Sequence, residues 1–315
     1  MKTVYTTDAA EAAEFIKRGG VVAFPTETVY GLGANVFNAT AVAKIFEAKR
    51  RPADNPLIAH IAEIGRIEEL AREISAFAHI FIDSFFPGPL TIVLPKSNDV
   101  PLIATAGLDT IGIRMPRFEL AHAFLTACGM PVAAPSANIS GRPSPTTWEA
   151  VAEDLDGRID CILQGDGTEI GLESTVVDCT GVVPLLLRSG AVSLAQLQAI
   201  VPKTSQYIPT EKEQPRSPGM RHRHYSPQAK VVLFTDKLRP ANKELHRSAY
   251  IGVSRPEVAF ATQHICSNIE EYAHEMFEFF RDCDRSGIET IYCESVGEAG
   301  IGAAIMDRLR RAAED

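Results

Sequence analysis

A run of three cations at the end of a predicted helix is the first feature that could do chemistry. Lys49, Arg50 and Arg51 close the helical pattern of residues 38–50, and a proline-containing turn follows them. The helix dipole favours cations in a last turn by about 0.3–1 kcal/mol each, which is the ordinary explanation. Three consecutive cations before a rigid turn exceed what a helix end requires, and Lys and Arg bind phosphate oxygens. The segment therefore indicates a site for an anion.

Two further arginines lie in segments that are otherwise apolar. Arg114 falls inside the predicted strand 111–116, and Arg188 ends the predicted strand 184–188. Because an unpaired charge in a protein core is costly, a buried arginine must have a partner or face a cleft. Two such arginines support an anion site better than a run of surface charge does.

Short polar side chains at the ends of apolar strands could complete this site. Thr26 follows the first buried strand, His60 ends the strand pattern 56–61, and Ser136 and Asn138 follow the strand pattern 131–135. In α/β sheets, ligands tend to bind beyond the carboxyl ends of strands. The plainer explanations are turn chemistry for the hydroxyl and amide side chains, and a hydrogen-bonded core position for His60. Both explanations stay open at this point.

The stretch "SPGMRHRHYSP" (217–227) concentrates cations in a chain whose formal net charge is -9. It belongs to a proline-rich segment, 203–229, that lacks periodicity and holds 5 Lys+Arg against 2 Asp+Glu. A zinc site is disfavoured, because no Cys or His recurs nearby at metal-ligand spacing. A nucleic-acid patch, a solvated linker and part of an active site remain as alternatives.

The composition is that of an ordinary globular protein. The mean hydropathy of the 315 residues is -0.00, and the six cysteines show no C-x-x-C pair. We therefore expect reduced thiols and a cytoplasmic location, with neither a signal peptide nor a membrane span. The acidic balance disfavours extensive nonspecific binding of nucleic acid, which depends on many cationic contacts to phosphate. A polyanionic ligand would need a local concentration of cations.

Alternating strand and helix patterns predict an α/β protein of two domains. Residues 1–202 form the first domain, 203–229 a linker, and 230–315 a small second domain. In the second domain we predict three strands in a parallel sheet and three helices. Those with definite bounds are strands 230–235, 249–253 and 288–293 and helices 269–283 and 302–313.

Together these segments resemble the YrdC-like family. The motifs, in chain order, are "FPTETVYGLG", "AKRRPADNPLIAHI", "FFPGPLTIVL", "TAGLDTIGIRMP", "APSANISGRPSPT", "GLESTVVD", "LLLRSGA" and "PGMRHRHYSP". With the C-terminal "GIGAAIMDRLRRAA", the chain is similar to the long, two-domain threonylcarbamoyl-AMP synthases of that family. The resemblance covers essentially the whole chain. It implies a YrdC-like twisted mixed sheet with helices, followed by a small Rossmann-like parallel α/β domain.

The resemblance implies a nucleotidyltransferase that converts L-threonine, bicarbonate and ATP into threonylcarbamoyl-adenylate, pyrophosphate and water. The product would pass to the machinery that makes threonylcarbamoyladenosine beside the tRNA anticodon, and stable direct binding of tRNA is not expected. Mg²⁺ is expected with ATP, coordinated by phosphates and water. The alternatives are a non-enzymatic RNA-binding module and a carbamoyl-transfer relative, which would need an acylphosphatase segment and cysteine-pair zinc fingers.

The family pattern also implies roles for individual residues. The catalytic residues would be the K-x-R and S-x-N signatures, Lys49, Arg51, Ser136 and Asn138. ATP would be bound by these four and by Thr110, Ser144, Arg188, Met220, His222, His224 and Tyr225. L-Threonine would be bound by Thr26, His60, Arg114, Ala134 and Ser174. The linker would cover the nucleotide as a lid. His222 stands where the family usually has an aromatic residue, so its role is left open.

Overall fold

The computed structural model describes residues 2–52, 54–208, 225–234 and 245–314. Its strands are β1 (Val4–Thr6), β2 (Val22–Phe24), β3 (Gly31–Asn35), β4 (Ile58–His60), β5 (Leu90–Pro95), β6 (Thr110–Arg114), β7 (Val132–Ala134), β8 (Cys161–Leu163), β9 (Thr175–Asp178), β10 (Leu185–Arg188), β11 (Ser205–Gln206), β12 (Lys230–Phe234), β13 (Ser248–Gly252), β14 (Thr262–Ile265) and β15 (Thr290–Glu294). Its α-helices are α1 (Ala9–Lys17), α2 (Ala39–Lys49), α3 (Ile67–Leu70), α4 (Ala76–Phe85), α5 (Glu119–Cys128), α6 (Trp148–Leu155), α7 (Leu194–Ile200), α8 (Ile269–Arg285) and α9 (Gly302–Ala313).

The first eleven strands form one sheet in the order β1-β8-β2-β3-β7-β4-β6-β5-β9-β10-β11. Strand β4 runs parallel to β6 and antiparallel to β7, so the sheet is mixed, as predicted. Its side chains alternate between two apolar clusters. Ala23 lies in one, and Val22 and Phe24 lie in the other, because successive strand residues point to opposite faces. The sheet continues through β11, past residue 202.

Helices α1 and α2 begin after residues whose side chains cap them. The side chain of Asp8 accepts bonds from backbone N–H groups at the start of α1, and that of Asn38 does so for α2. Helix α2 ends because Arg50 adopts a left-handed backbone, with a φ of 51°. This turn leaves Arg50 exposed, whereas Lys49 is buried.

The second sheet has the order β12-β15-β13-β14, and all its pairs are parallel. The sequence predicted three of these four strands. It missed β14, an edge strand whose residues are mostly exposed and show no apolar alternation. The helix expected between 230–235 and 249–253 falls largely outside the described residues, and the described end of that segment is a 3₁₀ turn, Leu245–Arg247.

Helices α8 and α9 cover the second sheet and bury its apolar residues in a core that also contains Tyr225 from the end of the linker. Most of the linker, residues 209–224, lies outside the described part of the chain. Within the described ranges, no helix has the length and apolarity needed to cross a bilayer.

Candidate active site

One pocket, with about 700 Å³ of empty space including its open mouth, collects most of the predicted site residues. It lies where the ends of β4, β6 and β10, the loops after β2 and β7 and the loop before β9 meet the end of α2. The predicted residues that line it are Thr26, Lys49, Arg51, His60, Arg114, Ala134, Ser136, Asn138, Ser144, Ser174, Arg188 and Tyr225. The sequence motifs therefore converge in space, although they are spread over the chain from residue 26 to residue 225.

Thr110 is the predicted site residue that the structure does not place in this pocket. It begins β6 whereas Arg114 ends it, which separates the two by about 13 Å at the usual rise of a strand. Thr110 instead lines a smaller cavity that shares Ile58 with the main pocket. The other three predicted nucleotide contacts, Met220, His222 and His224, lie outside the described residues.

Lys49 joins the two signatures into one network. Its Nζ donates to the backbone oxygen of Ser136 at 2.6 Å and to that of Asn138 at 2.5 Å, and Asn138 Oδ1 lies 3.3 Å away. Burial, reinforced by the positive charge of Arg51, lowers the pKa of Lys49. Because three protein oxygens already surround Nζ, the ammonium fixes the loop after β7.

Arg51 and Arg188 are pocket cations that form no ion pair within the described part of the chain. Among the described residues, Arg51 donates to the carbonyls of Asn55 and Pro56, at a long 3.4 Å in both cases. Arg188 donates to the backbone oxygen of Ser174 at 3.0 Å and to its hydroxyl at 3.2 Å. Desolvation lowers the pKa of both arginines, that of Arg51 to about 10. The charge of Arg188 lowers the pKa of Arg51 further, and that of Arg308 does so for Arg188. Two such cations in a cleft favour an anionic ligand.

Arg114, in contrast, is already compensated. Its Nη2 lies 2.9 Å from Glu27 Oε2, and both side chains are almost completely buried. Its Nη1 donates to Thr28 Oγ1 at 2.7 Å, and its Nε donates to Gly88 O at 3.3 Å. Thr28 Oγ1 lies 2.8 Å from Thr26 Oγ1, so a hydrogen bond between the two hydroxyls extends this network to Thr26. The guanidinium is thus held at a fixed angle.

His60 pairs with Arg114 across β4 and β6 and is buried. Its Nδ1 lies 3.1 Å from the backbone oxygen of Ile58, and its ring meets Phe24 edge to face. Desolvation, followed by the charge of Arg114, lowers the pKa of His60 to about 3. The imidazole is therefore neutral near pH 7 and serves the pocket as a hydrogen-bonding group.

The structure adds lining residues that were not predicted as site residues. They are Thr28, Val29, Gly31, Ile58, Pro135, Ser140, Arg142 and Glu173. Glu173 accepts a 2.5 Å hydrogen bond from the hydroxyl of Ser144, and Arg142 donates to Asp154 at 2.6 Å. Thr28, Arg142 and Glu173 all lie in motifs that the sequence singled out, but spacing alone gives no signal for Arg142 within its turn-like segment.

Tyr225, near the end of the linker, lines the pocket from the side of the second domain. Its ring stacks on Phe277 of α8 with the centroids 5.4 Å apart, and the guanidinium of Arg308 lies 5.4 Å from its centroid. The next residue, Ser226, donates its N–H to the carbonyl of Gly141 at 2.8 Å. The pocket is thus bounded by both domains.

Two family models together match nearly the whole chain. Residues 14–190 match the Sua5, YciO and YrdC model, described as "Telomere recombination". Residues 192–314 match the model described as "Threonylcarbamoyl-AMP synthase, C-terminal domain". The second match begins before β11, so its first residues still contribute the last strand of the first sheet.

Similar proteins extend over the same length. The threonylcarbamoyl-AMP synthase of Pyrococcus abyssi is 45% identical over 96% of this chain and 92% of its own length. That of Bacillus subtilis is 41% identical, with the same coverage. The crystal structure of P. abyssi Sua5 complexed with L-threonine superposes with a TM-score of 0.90 and 41% identity, covering 99% of this chain and 98% of that one.

Proposed function

Because this chain belongs to the Sua5/YrdC family of two-domain threonylcarbamoyl-AMP synthases, we propose that it condenses L-threonine, bicarbonate and ATP into threonylcarbamoyl-adenylate and pyrophosphate. The observation that carries this proposal is the division of charge within one pocket. Arg51 and Arg188 form no ion pair with a carboxylate of the described residues, whereas Arg114 lies against Glu27. One side thus fits a polyphosphate, and the other fits a small zwitterion.

We call the pocket residues Arg51, Arg142, Ser144 and Arg188 the nucleotide side. Arg51 and Arg188 would neutralise phosphate oxygens, and guanidinium groups suit these because of their fork geometry. Lys49 would act by holding Ser136 and Asn138 in place, since its own donors are occupied. Catalysis would then rest on positioning and charge stabilisation.

We call Thr26, Thr28, His60 and Arg114 the amino-acid side. The remaining N–H groups of Arg114 would bind the α-carboxylate of threonine, held in place by Glu27 and Thr28. The site would reject valine strongly, because valine would leave the buried partner of the threonine hydroxyl without a hydrogen bond. Serine lacks only a methyl group, which is worth about 1–3 kcal/mol, so discrimination against serine should be weaker.

The chemical steps balance without an enzyme nucleophile. The free amine of threonine attacks bicarbonate, forming the C–N bond of a carbamate with loss of water. A carbamate oxygen then attacks the α-phosphorus of ATP, the bond to the β-phosphate breaks, and pyrophosphate leaves. The protein would align the carbamate oxygen with the departing pyrophosphate and exclude water from the mixed anhydride.

Mg²⁺ would enter with ATP. The described residues contain no group of three His, Cys, Asp or Glu side chains placed to hold a metal ion, and the Glu173 carboxylate is bound to Ser144 and Arg308. The ion would therefore be held by phosphate oxygens and water and would neutralise their charge. The hydroxyl and cationic side chains of the pocket suit such a complex.

We further propose a cytoplasmic location and delivery of the product to the tRNA threonylcarbamoyl-transfer machinery. The six cysteines, all buried with free thiols, are compatible with a reducing compartment. That the linker covers the nucleotide stays a prediction, supported by the position of Tyr225 in the pocket lining.

The test is pyrophosphate release from ATP with bicarbonate and each of the twenty amino acids in turn, with threonylcarbamoyl-adenylate identified by mass spectrometry. We expect release that depends on threonine and bicarbonate, with serine the best of the poor substrates. Release without threonine, or none at all, refutes the synthase. Filter binding of tRNA in the absence of ATP tests the alternative, a non-enzymatic RNA-binding module.

A further inference from the structure

The contact between the domains contains two arginines from the second domain whose side chains are buried. Arg281 of α8 and Arg308 of α9 are 5% and 0% exposed in their side chains. Each reaches a carboxylate of the first domain. Burying an ion pair costs much of what the pair gains, so such pairs contribute little to stability and call for another explanation. In this protein Arg308 contacts the lining residue Glu173, and Arg281 contacts Asp154 and Pro143, which adjoin the lining.

Arg308 reaches the pocket through Glu173. Its Nε donates to Glu173 Oε2 at 3.0 Å, while Glu173 Oε1 accepts the hydroxyl of Ser144 at 2.5 Å. The Nη1 of Arg308 also donates to the carbonyl of Ser189 at 3.0 Å, next to Arg188. One residue of the last helix therefore sets the position of the two lining residues Glu173 and Ser144.

Arg281 reaches the same loop through Asp154. Its two Nη atoms lie 3.3 and 3.0 Å from the two carboxylate oxygens, and Nη2 also donates to the carbonyl of Pro143 at 2.7 Å. Asp154 in turn accepts Arg142 Nη1 at 2.6 Å and the N–H of Ile139 at 3.1 Å. The C-terminal domain thus holds the loop 139–144 from a second direction.

Among the described residues, no side chain of the amino-acid side bonds to the second domain; the link is indirect, from the Glu27 carbonyl to the N–H of Ile170, which packs against the second core. The contacts that fix Arg114 come from Glu27, Thr28 and Gly88, and those of His60 come from its own sheet. All of these belong to the first domain. The two sides of one pocket are therefore held by different parts of the molecule.

We infer that Arg281 and Arg308 are positioning residues for the nucleotide, through which the C-terminal domain shapes the nucleotide side of the pocket and leaves the amino-acid side unaffected. This inference rests on the proposed function. Linkage then requires the converse effect, that bound ATP strengthens the contact between the domains.

The experiment compares full-length Arg308→Met and Arg281→Met with the wild type. We expect the KM for ATP to rise about tenfold or more in each, while the KM for threonine stays within about twofold. Arg285→Met is the matched control, because Arg285 bridges α8 to Glu153 at 2.6 Å but is partly exposed and lies outside the pocket lining. This variant should show wild-type constants for both substrates.

Direct ATP binding, measured by calorimetry, separates failure of the inference from failure of the proposed function. A wild type that binds ATP without making the adenylate refutes the synthase, yet still permits comparison of the variants. Unchanged ATP affinity in folded variants, or an equal loss for both substrates, overturns the inference. If the Met variants do not fold, Arg308→Lys and Arg281→Lys decide it, since they keep the charge but lose the fork. In these Lys variants the KM for ATP should again rise while that for threonine stays unchanged, but the rise should be smaller than in the Met variants.

Discussion

The two sides of the pocket handle buried charge in opposite ways. On the amino-acid side, the charge of Arg114 lies against Glu27, and the pair is anchored within the first sheet. On the nucleotide side, Arg51 and Arg188 carry charge that burial disfavours, with carbonyl and hydroxyl oxygens as their hydrogen-bond acceptors. A bound polyphosphate would offset the cost of burying these two charges. A zwitterion has no net charge, so it needs hydrogen-bonding groups in fixed directions more than it needs excess positive charge. The difference shows how one cavity can select two dissimilar substrates.

The largest expected effect is loss of turnover in Arg51→Ala. Removing one preorganised group that stabilises developing charge costs about 10²–10³ in kcat. The melting temperature should stay near that of the wild type, because the protein contacts of Arg51 are long. Arg50→Asn is the control, since Arg50 is exposed and Asn tolerates its left-handed backbone. Normal turnover in Arg51→Ala would remove the main support for the nucleotide side.

Lys49→Met tests whether Lys49 has a different role from Arg51, the other cation of the K-x-R signature. The carbonyls of Ser136 and Asn138 would lose a close donor, and unsatisfied buried groups cost about 1–3 kcal/mol each. We therefore expect both lower activity and a free energy of unfolding reduced by about 2–4 kcal/mol in denaturant titrations. Lys44→Met, on the exposed face of the same helix, should change neither. Unaltered stability in Lys49→Met would mean that its ammonium serves the ligand.

The pH dependence of stability should report His60. Its pKa is about 3 in the folded protein, whereas the unfolded chain binds a proton near pH 6.5. Stability is therefore lost as the pH falls below about 6.5, by about 2 kcal/mol between pH 7 and pH 5. His60→Gln should flatten that part of the profile, whereas His122→Gln, at an exposed position, should leave it steep. Identical slopes in all three proteins would contradict a neutral His60.

The smallest effect is expected for Thr28→Val. This change removes the hydroxyl that accepts the 2.7 Å hydrogen bond from Arg114. One such bond contributes about 1 kcal/mol, so the KM for threonine should rise roughly fivefold with that for ATP unchanged. Thr28→Ser keeps the hydroxyl and should stay close to wild type. A change in the KM for ATP larger than that in the KM for threonine would contradict the assignment of Thr28 to the amino-acid side.

Local patterns were sufficient for most of the first domain. Helices α1 and α2 begin directly after the capping residues Asp8 and Asn38, and the apolar run Leu90–Pro95 forms β5. These elements carry their own signals, namely capping side chains and runs of apolar residues. The edge strand β14 had no such signal because its residues face solvent.

The sequence by itself indicated twelve of the residues that line the pocket, because their motifs lie at the ends of buried strands and of a helix that packs against the sheet. Which cations are available to a ligand was decided only by the tertiary structure. Lys49 and Arg51 look alike in the sequence, yet Lys49 is surrounded by carbonyl oxygens from a loop about 90 residues away. Likewise, only the fold brings Arg308 to Glu173, 135 positions earlier in the chain. Hydrogen bonds between distant segments produce no periodic pattern in a sequence. Which partner each charged side chain has therefore depends on the tertiary structure.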